Sequence, residues 1–274
     1  MFWTRFISSI ILIVIALVTL IFSGPLLAGV TFFISLVGYM ELCKATKTHT
    51  EEKKLNGLEA VGILGLIAYY AVMFFSGSEH LLLLVITSVF LGNICVYVFV
   101  FPKYSSEQIF SNFFSFIYAP IMLSFIYMTR ELIYGEYIVW LILISSWGCD
   151  TCAYLVGICI GKKKIFPVLS PKKSLEGCIG GVVGAGLLGA AFGYFVIEKV
   201  VTNQTVTLIV AFICMAGAIM SQIGDLAASA IKRNHNIKDY GKLIPGHGGI
   251  MDRFDSVIVT APMIFFLTTL LIKV

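Results

Sequence analysis

The sequence predicts an all-α polytopic membrane protein of about nine transmembrane helices, with its N-terminus in the cytoplasm. Three observations carry this. Mean hydropathy is +0.97. Charged residues make up 12% of the 274 positions against 59% hydrophobic ones, whereas about a quarter of an ordinary soluble domain is charged. The charges are also clustered, which leaves uncharged runs of about 20 residues, the length that crosses a hydrocarbon core.

Nine apolar runs follow one another, near residues 6–23, 26–43, 58–76, 81–101, 110–128, 136–157, 178–197, 205–230 and 255–272. The first is too long for the apolar stretch of a signal peptide (roughly 7–15 residues) and no small-x-small cleavage site closes it, so it reads as a retained span. Only Ser23-Gly24-Pro25 separates the first run from the second. Pro120 interrupts the fifth and predicts a kink, which membrane helices tolerate. No internal repeat, low-complexity segment or inverted pair of broken helices is evident. The whole chain reads as one integral membrane domain, 1–274, with N-terminal helices in 1–135 and the functional motifs in 136–274.

Loop charges orient the spans. With a cytoplasmic N-terminus, that side collects Arg5, Lys44, Lys47, Lys53, Lys54, Lys103, Lys162, Lys163, Lys164, Lys172, Lys173, Lys232, Arg233, Lys238, Lys242 and Arg253. These are 16 of the 19 Lys and Arg; Arg130, Lys199 and Lys273 remain for the other side. This fits the positive-inside rule, and the net charge of +4 is accounted for by topology without nucleic acid. The seven cysteines lie mostly inside apolar runs. Cys149 and Cys152 spell CxxC, but no second pair or nearby histidine completes a zinc set, so small packing residues is the better reading.

Two carboxylates sit inside apolar runs. Asp150 is the only charged residue between Tyr137 and Gly161, and Asp225 follows twenty uncharged positions. Ionised groups at such depth are costly and are functional candidates by default. For Asp150 a helix end reaching interfacial water explains the residue equally well. For Asp225 that explanation weakens, because Asp252 and Asp255 return soon after it. Spaced i, i+3, these two share a face if helical. Carboxylates gathered at one interface repel unless a cation lies among them, and hard oxygen donors beside phosphate suit magnesium.

The bases supply the counterpart. In "SPKKSLEGCIGG", Ser170 to Gly181, lysines beside a serine and a glycine-containing helix start can hold phosphate oxygens. Lys172 and Lys173 are the candidates there, and Lys162 to Lys164 read as a solvated loop. In "IPGHGGIMDRFD", Gly246, Gly248 and Gly249 permit close backbone approach to a ligand, with His247 among them. Each piece alone is weak. Together they describe phosphoryl or nucleotidyl transfer at a membrane surface, where metal and lysines neutralise a polyphosphate and positioning does the rest.

The stretch "SAIKRNHNIKDYGKLIPGHGGIMDRFD", Ser229 to Asp255, resembles the signature of the phosphatidate cytidylyltransferases, the CDP-diacylglycerol synthases. "SPKKSLEG" and the set Asp150, Thr151, Ala153, Tyr154 and Gly157 are also similar to that family. The likeness covers the C-terminal half; the N-terminal half agrees as a row of apolar helices. It implies transfer of a cytidylyl group from CTP to phosphatidic acid with magnesium, and a second, monovalent cation beside it. It implies Asp225 and Asp252 as metal ligands with Asp255 close by. Lys172, Lys173, Lys232, Arg233 and Lys238 would clamp phosphates, and Arg253 would bind substrate. Ser170, His247, Gly248 and Gly249 would hold nucleotide or lipid headgroup, and Asp239 would order the loop. A homodimer is implied as well; the short length suggests a bacterial-type enzyme in the inner membrane, and the loop charges turn the site to the cytoplasm.

Three positions depart from the family pattern. Ala228 stands where a glutamate is usual, Cys149 where a polar residue is common before the aspartate, and Ile158 where a basic residue often follows the glycine. Altered metal or nucleotide affinity is the expected consequence. The competing readings are a CTP-using enzyme on another lipid, such as a CDP-archaeol synthase or prenol-kinase relative, an ion-coupled transporter, and a non-catalytic scaffold. A transporter would place charges along a path through both leaflets, whereas these gather on one. A CDP-alcohol phosphotransferase needs D-x-x-D-G, and Asp252-Arg253-Phe254-Asp255 continues to Ser256.

Overall fold

The computed structural model describes residues 2–49, 55–201, 206–244 and 248–272, with side chains from residue 8 onward except residue 9. Among the described residues the regular elements are helices, joined by two isolated bridges, Lys164 with Ser174 and Ile244 with Gly248. The helices are α1 (Phe2–Phe22), α2 (Gly24–Ala45), α3 (Gly57–Phe75), α4 (Glu79–Phe99), α5 (Ser106–Phe116), α6 (Met122–Arg130), α7 (Gly135–Ile138), α8 (Trp140–Leu143), α9 (Cys149–Ile160), α10 (Leu175–Phe195), α11 (Thr207–Asn234) and α12 (Met251–Leu271). Single π-helical turns, Ile117–Ile121 and Ile144–Gly148, join α5 to α6 and α8 to α9. Eight segments are long and apolar enough to cross a membrane, and Ile10–Phe22 adds a shorter apolar stretch. The order matches the nine runs. Pro120, expected to kink the fifth, sits inside the first π turn, because a proline removes one N–H from the helical ladder.

The helices reach beyond the apolar runs at both ends of the signature. α11 continues to Asn234 and carries Lys232 and Arg233 in its last turn. α12 starts at Met251 and carries Asp252 in its first. At 1.5 Å per residue the 28 residues of α11 span about 42 Å, more than the roughly 30 Å hydrocarbon core.

The chain divides into two compact units. The first comprises residues 1–124 and 235–253, the second 125–234 and 254–274.

In the first unit, Tyr39, Leu42, Leu58, Leu66, Phe116 and Leu123 are fully buried. A polar network ties the helices together. Tyr39 donates to Asn112 Oδ1 at 2.6 Å, and Asn112 Nδ2 donates to Asn93 Oδ1 at 2.9 Å and to the Leu58 carbonyl at 3.0 Å. Gly62 makes room for the Tyr39 ring, where a Cβ would overlap it. In lipid, where apolar burial no longer drives association, such interhelical bonds are worth about 0.6–2 kcal/mol each. Asn56 and Glu59 form a capping box that starts α3, with N–H···O distances of 2.8 and 3.1 Å.

In the second unit α10 packs between α9 and α11 through glycines. A Cβ at Gly177, Gly180, Gly181 or Gly184 would strike α9, at Ala153, Val156, Cys149 and Cys152. One at Gly186, Gly189 or Gly193 would strike α11, at Met215, Cys214 and Val210. Small residues at four-residue spacing let membrane helices approach closely. The cysteines are free, and Cys149 and Cys214 are buried packing residues, as the sequence indicated.

Candidate active site

Each unit carries part of the polar constellation. In the second unit, α9 is capped by Gly161 and α10 is started by Ser174, whose Oγ accepts from the Gly177 N–H at 3.2 Å. The intervening loop is tied at its base. Glu176 accepts from the Lys162 N–H at 3.0 Å and the Lys163 N–H at 3.2 Å. The Leu175 N–H donates to the Lys163 carbonyl at 2.8 Å. Lys164 Nζ donates to the Lys172 carbonyl at 3.0 Å, and Ser170 lies in a turn closed by its N–H to the Phe166 carbonyl at 2.8 Å. The first lysines of the loop, read from sequence as plain solvated charge, thus include one that shapes it.

The result aims Lys173. Its Nζ lies 2.5 Å from Asp225 Oδ2. The ammonium is buried with no aligned hydrogen-bond partner among the described residues, so this is a charge contact. Asp150, in the first turn of α9, feels the charges of both Asp225 and Lys173. Asp255 feels Asp225, Lys232 and Asp150. Three carboxylates, Asp150, Asp225 and Asp255, therefore share one field with two lysines, Lys173 and Lys232. Asp225 and Lys232 are i, i+7 on α11 and lie on one face. Lys172 and Arg233, next to Lys173 and Lys232 in the chain, are exposed. Oxygen donors next to ammonium groups suit magnesium with a polyphosphate. Among the described residues no three His, Cys, Asp or Glu side chains form a ready-made cage. The fit is thus one of donor chemistry, with substrate oxygens and water needed to complete an octahedral shell.

Ala228, one turn along from Asp225, is fully buried. The glutamate usual there would have to bury its carboxylate, so the departure agrees with the packing. Ile158 is 65% exposed. Gln222 holds Cys149 from α11, donating to its Sγ at 3.3 Å and to the Cys178 carbonyl at 2.9 Å.

In the first unit Asp252 is buried and its Oδ2 accepts two backbone N–H groups, from Tyr240 at 2.8 Å and Gly249 at 3.0 Å. Gly248 adopts φ +87°, a left-handed value that suits glycine. Glu41 of α2, which the sequence reading passed over, is also buried. Its two oxygens accept the Ile250 N–H at 3.1 Å and the Met251 N–H at 2.9 Å. The close approach that Gly249 permits is to this carboxylate: a Cβ there, or at Gly241, would run into it. Lys238, Asp239 and Arg253 are exposed. His247, Gly246 and Pro245 lie outside the described residues. A signal for Glu41 was present, since it is the one acid in the apolar run of α2.

Residues 3–271 match the family model described as the cytidylyltransferase family. The chain belongs to the cytidylyltransferase family. Its relatives within that family include the phosphatidate cytidylyltransferase of Bacillus subtilis (strain 168), 39% identical over 137 residues, which are 50% of this chain and 49% of that protein. The phosphatidate cytidylyltransferase of Rickettsia bellii (strain RML369-C) is 36% identical over 157 residues, 56% and 67% of the two chains. That of Haemophilus influenzae is 33% identical over 196 residues, 68% of each. The chain thus spans from about half to about two thirds of the length of these curated relatives. Cytidylyltransferases are nucleotidyltransferases, which is the class of chemistry that the acids and bases indicated.

Proposed function

We propose that this chain transfers the cytidylyl group of CTP to phosphatidic acid, giving CDP-diacylglycerol and pyrophosphate. The observation that carries the reading is the contact between Lys173 and Asp225: a lysine from a tied polar loop, brought onto the one acid of a largely apolar helix. The names of the relatives supply the donor and acceptor.

An oxygen of the lipid phosphate attacks the α-phosphorus of CTP, the bond from that phosphorus to the bridging oxygen breaks, and pyrophosphate leaves. The nucleophile already carries charge, so no strong general base is required. Negative charge grows on the leaving pyrophosphate, and fixed cations placed there are worth most when water is excluded. Lys173 exchanges Asp225 for a phosphate oxygen, and Lys232, Arg233, Lys172 and Lys238 add charge. Ser170 and His247 would hold nucleotide or headgroup. Magnesium, when bound, neutralises the polyphosphate. Asp225 and Asp252 are its proposed ligands, with a monovalent cation as second ion. The proposed setting is a bacterial inner membrane with the polar loops in the cytoplasm and the enzyme as a homodimer.

The test is an acceptor panel. Purified protein in detergent is given radiolabelled CTP and magnesium with phosphatidic acid, an archaeal ether-lipid phosphate, a prenol or diacylglycerol in turn. Labelled liponucleotide with release of one pyrophosphate, from phosphatidic acid above the others, is expected. Phosphorylated prenol with CDP would instead support a kinase, and no product from any acceptor would sink the enzyme reading.

A further inference from the structure

We propose that Glu41 is a positioning residue, one that fixes the backbone from Gly248 to Met251 and through it the orientation of Asp252. The inference rests on the proposed function for its kinetic consequence alone, since the structural claim stands within the first unit.

Three successive amides at the start of α12 would otherwise lack helical partners. Those of Ile250 and Met251 donate to the two oxygens of Glu41, at 3.1 and 2.9 Å, and that of Gly249 donates to Asp252 Oδ2 at 3.0 Å. Two buried carboxylates thus grip one short turn. Glu41 comes from a helix more than two hundred positions earlier in the chain, so it couples the N-terminal helices to the signature loop. Like charges brought so near are unfavourable. The positive end of a helix and the four N–H bonds that the pair receives offset this. Packing around Glu41 leaves no slack, because Gly241 and Gly249 face its carboxylate where any side chain would collide. If Glu41 relaxes, Gly249 is released, and Asp252 loses a partner that holds its Oδ2.

An amide at position 41 keeps the shape but offers one acceptor and one donor where two acceptors are needed. Residues that orient a metal ligand typically cost about 10–100-fold in activity or metal affinity when changed. Glu41→Gln is expected to lower kcat by that factor. It should raise the magnesium concentration for half-maximal rate by about 10-fold and leave KM for CTP within about 2-fold, with a thermal midpoint near that of the wild type. Asn112→Leu, which removes a buried polar group elsewhere in the same unit, serves as the control and should not move the magnesium requirement. Hydrogen–deuterium exchange of the peptide covering residues 248–252 reads the turn itself: the amides of Ile250 and Met251 should exchange faster in Glu41→Gln, the rest of α12 as before. Should Glu41→Gln fail to fold, a cycle with Gly249→Ala decides. Gly249→Ala alone should cause a similar loss, and in a Glu41→Ala background it should add little, because the space is vacated. Unchanged exchange at 248–252 in Glu41→Gln, or additive losses in the cycle, would overturn the proposal. A wild type without cytidylyl transfer would sink the activity reading and leave the exchange experiment to judge Glu41.

Discussion

The acids of the two units are held in different ways. In the unit of 125–234 and 254–274, Asp225 is held by a lysine side chain, within the fields of Asp150, Asp255 and Lys232. In the unit of 1–124 and 235–253, Glu41 and Asp252 are buried and held by peptide N–H groups. A lysine can move to a better anion when one arrives, whereas a peptide N–H cannot. The first arrangement suits a group that must change partners during a reaction; the second suits an anchor.

The largest effects should come from the exchangeable pair. Asp225→Asn and Lys173→Gln are each expected to lower turnover about 10²–10³-fold or more, the scale for removing one preorganised charge from a reacting group. The thermal midpoint in detergent should fall only modestly, because the two side chains keep 21% and 32% of their surface exposed although the Lys173 ammonium itself is buried. A large fall in midpoint with turnover retained would make the pair structural and erase the contrast. Next comes Ala228→Glu, which puts a carboxylate into a fully buried position. Burying an unpaired acid costs several kcal/mol or leaves it neutral, so a thermal midpoint lower by many degrees is expected. A midpoint equal to that of the wild type with a shifted magnesium curve would mean that the site accepts a further ligand there.

Gly181→Val tests the scaffold of the same unit. Its Cβ would meet Ala153, Cys149 Sγ and the Cys149 carbonyl at 2.9–3.0 Å. Overpacking of this kind costs about 1–3 kcal/mol, read as a lowered midpoint, and it should reduce turnover by moving α9 and α10 apart. The smallest effect on turnover is expected for Asn112→Leu in the first unit: each of the three hydrogen bonds it loses with Tyr39, Asn93 and Leu58 costs about 1 kcal/mol and lowers the midpoint, with turnover at low temperature nearly unchanged. A collapse in turnover at an intact midpoint would show that the N-terminal network does more than hold helices.

Much of the fold was legible because hydropathy reports span length directly. The nine runs appear in order, and Pro120 marks a π turn. Helix ends were less legible. Hydropathy stops at the last apolar side chain, but the hydrogen-bonded backbone continues, so Lys232 and Asp252 proved helical. In the site, Asp225 stood out by its position after an apolar run, and Asp255 by its return soon after, three residues from Asp252. Their partners did not. The distance between Lys173 and Asp225 in the chain hides their contact, and only the tied loop brings them together. Glu41 was hidden because one acid near the end of an apolar run resembles an interfacial helix end. Gly241 and Gly249 became informative only when the carboxylate between them was seen.

The central claim is that the acid held by Lys173 serves cytidylyl transfer. The most direct measurement is turnover of radiolabelled CTP with phosphatidic acid and magnesium by the purified wild type and by Asp225→Asn, following labelled CDP-diacylglycerol and pyrophosphate together. The account predicts equal amounts of both products from the wild type and a loss of both by about 10²–10³-fold or more in the variant. Full turnover by a folded Asp225→Asn would contradict it.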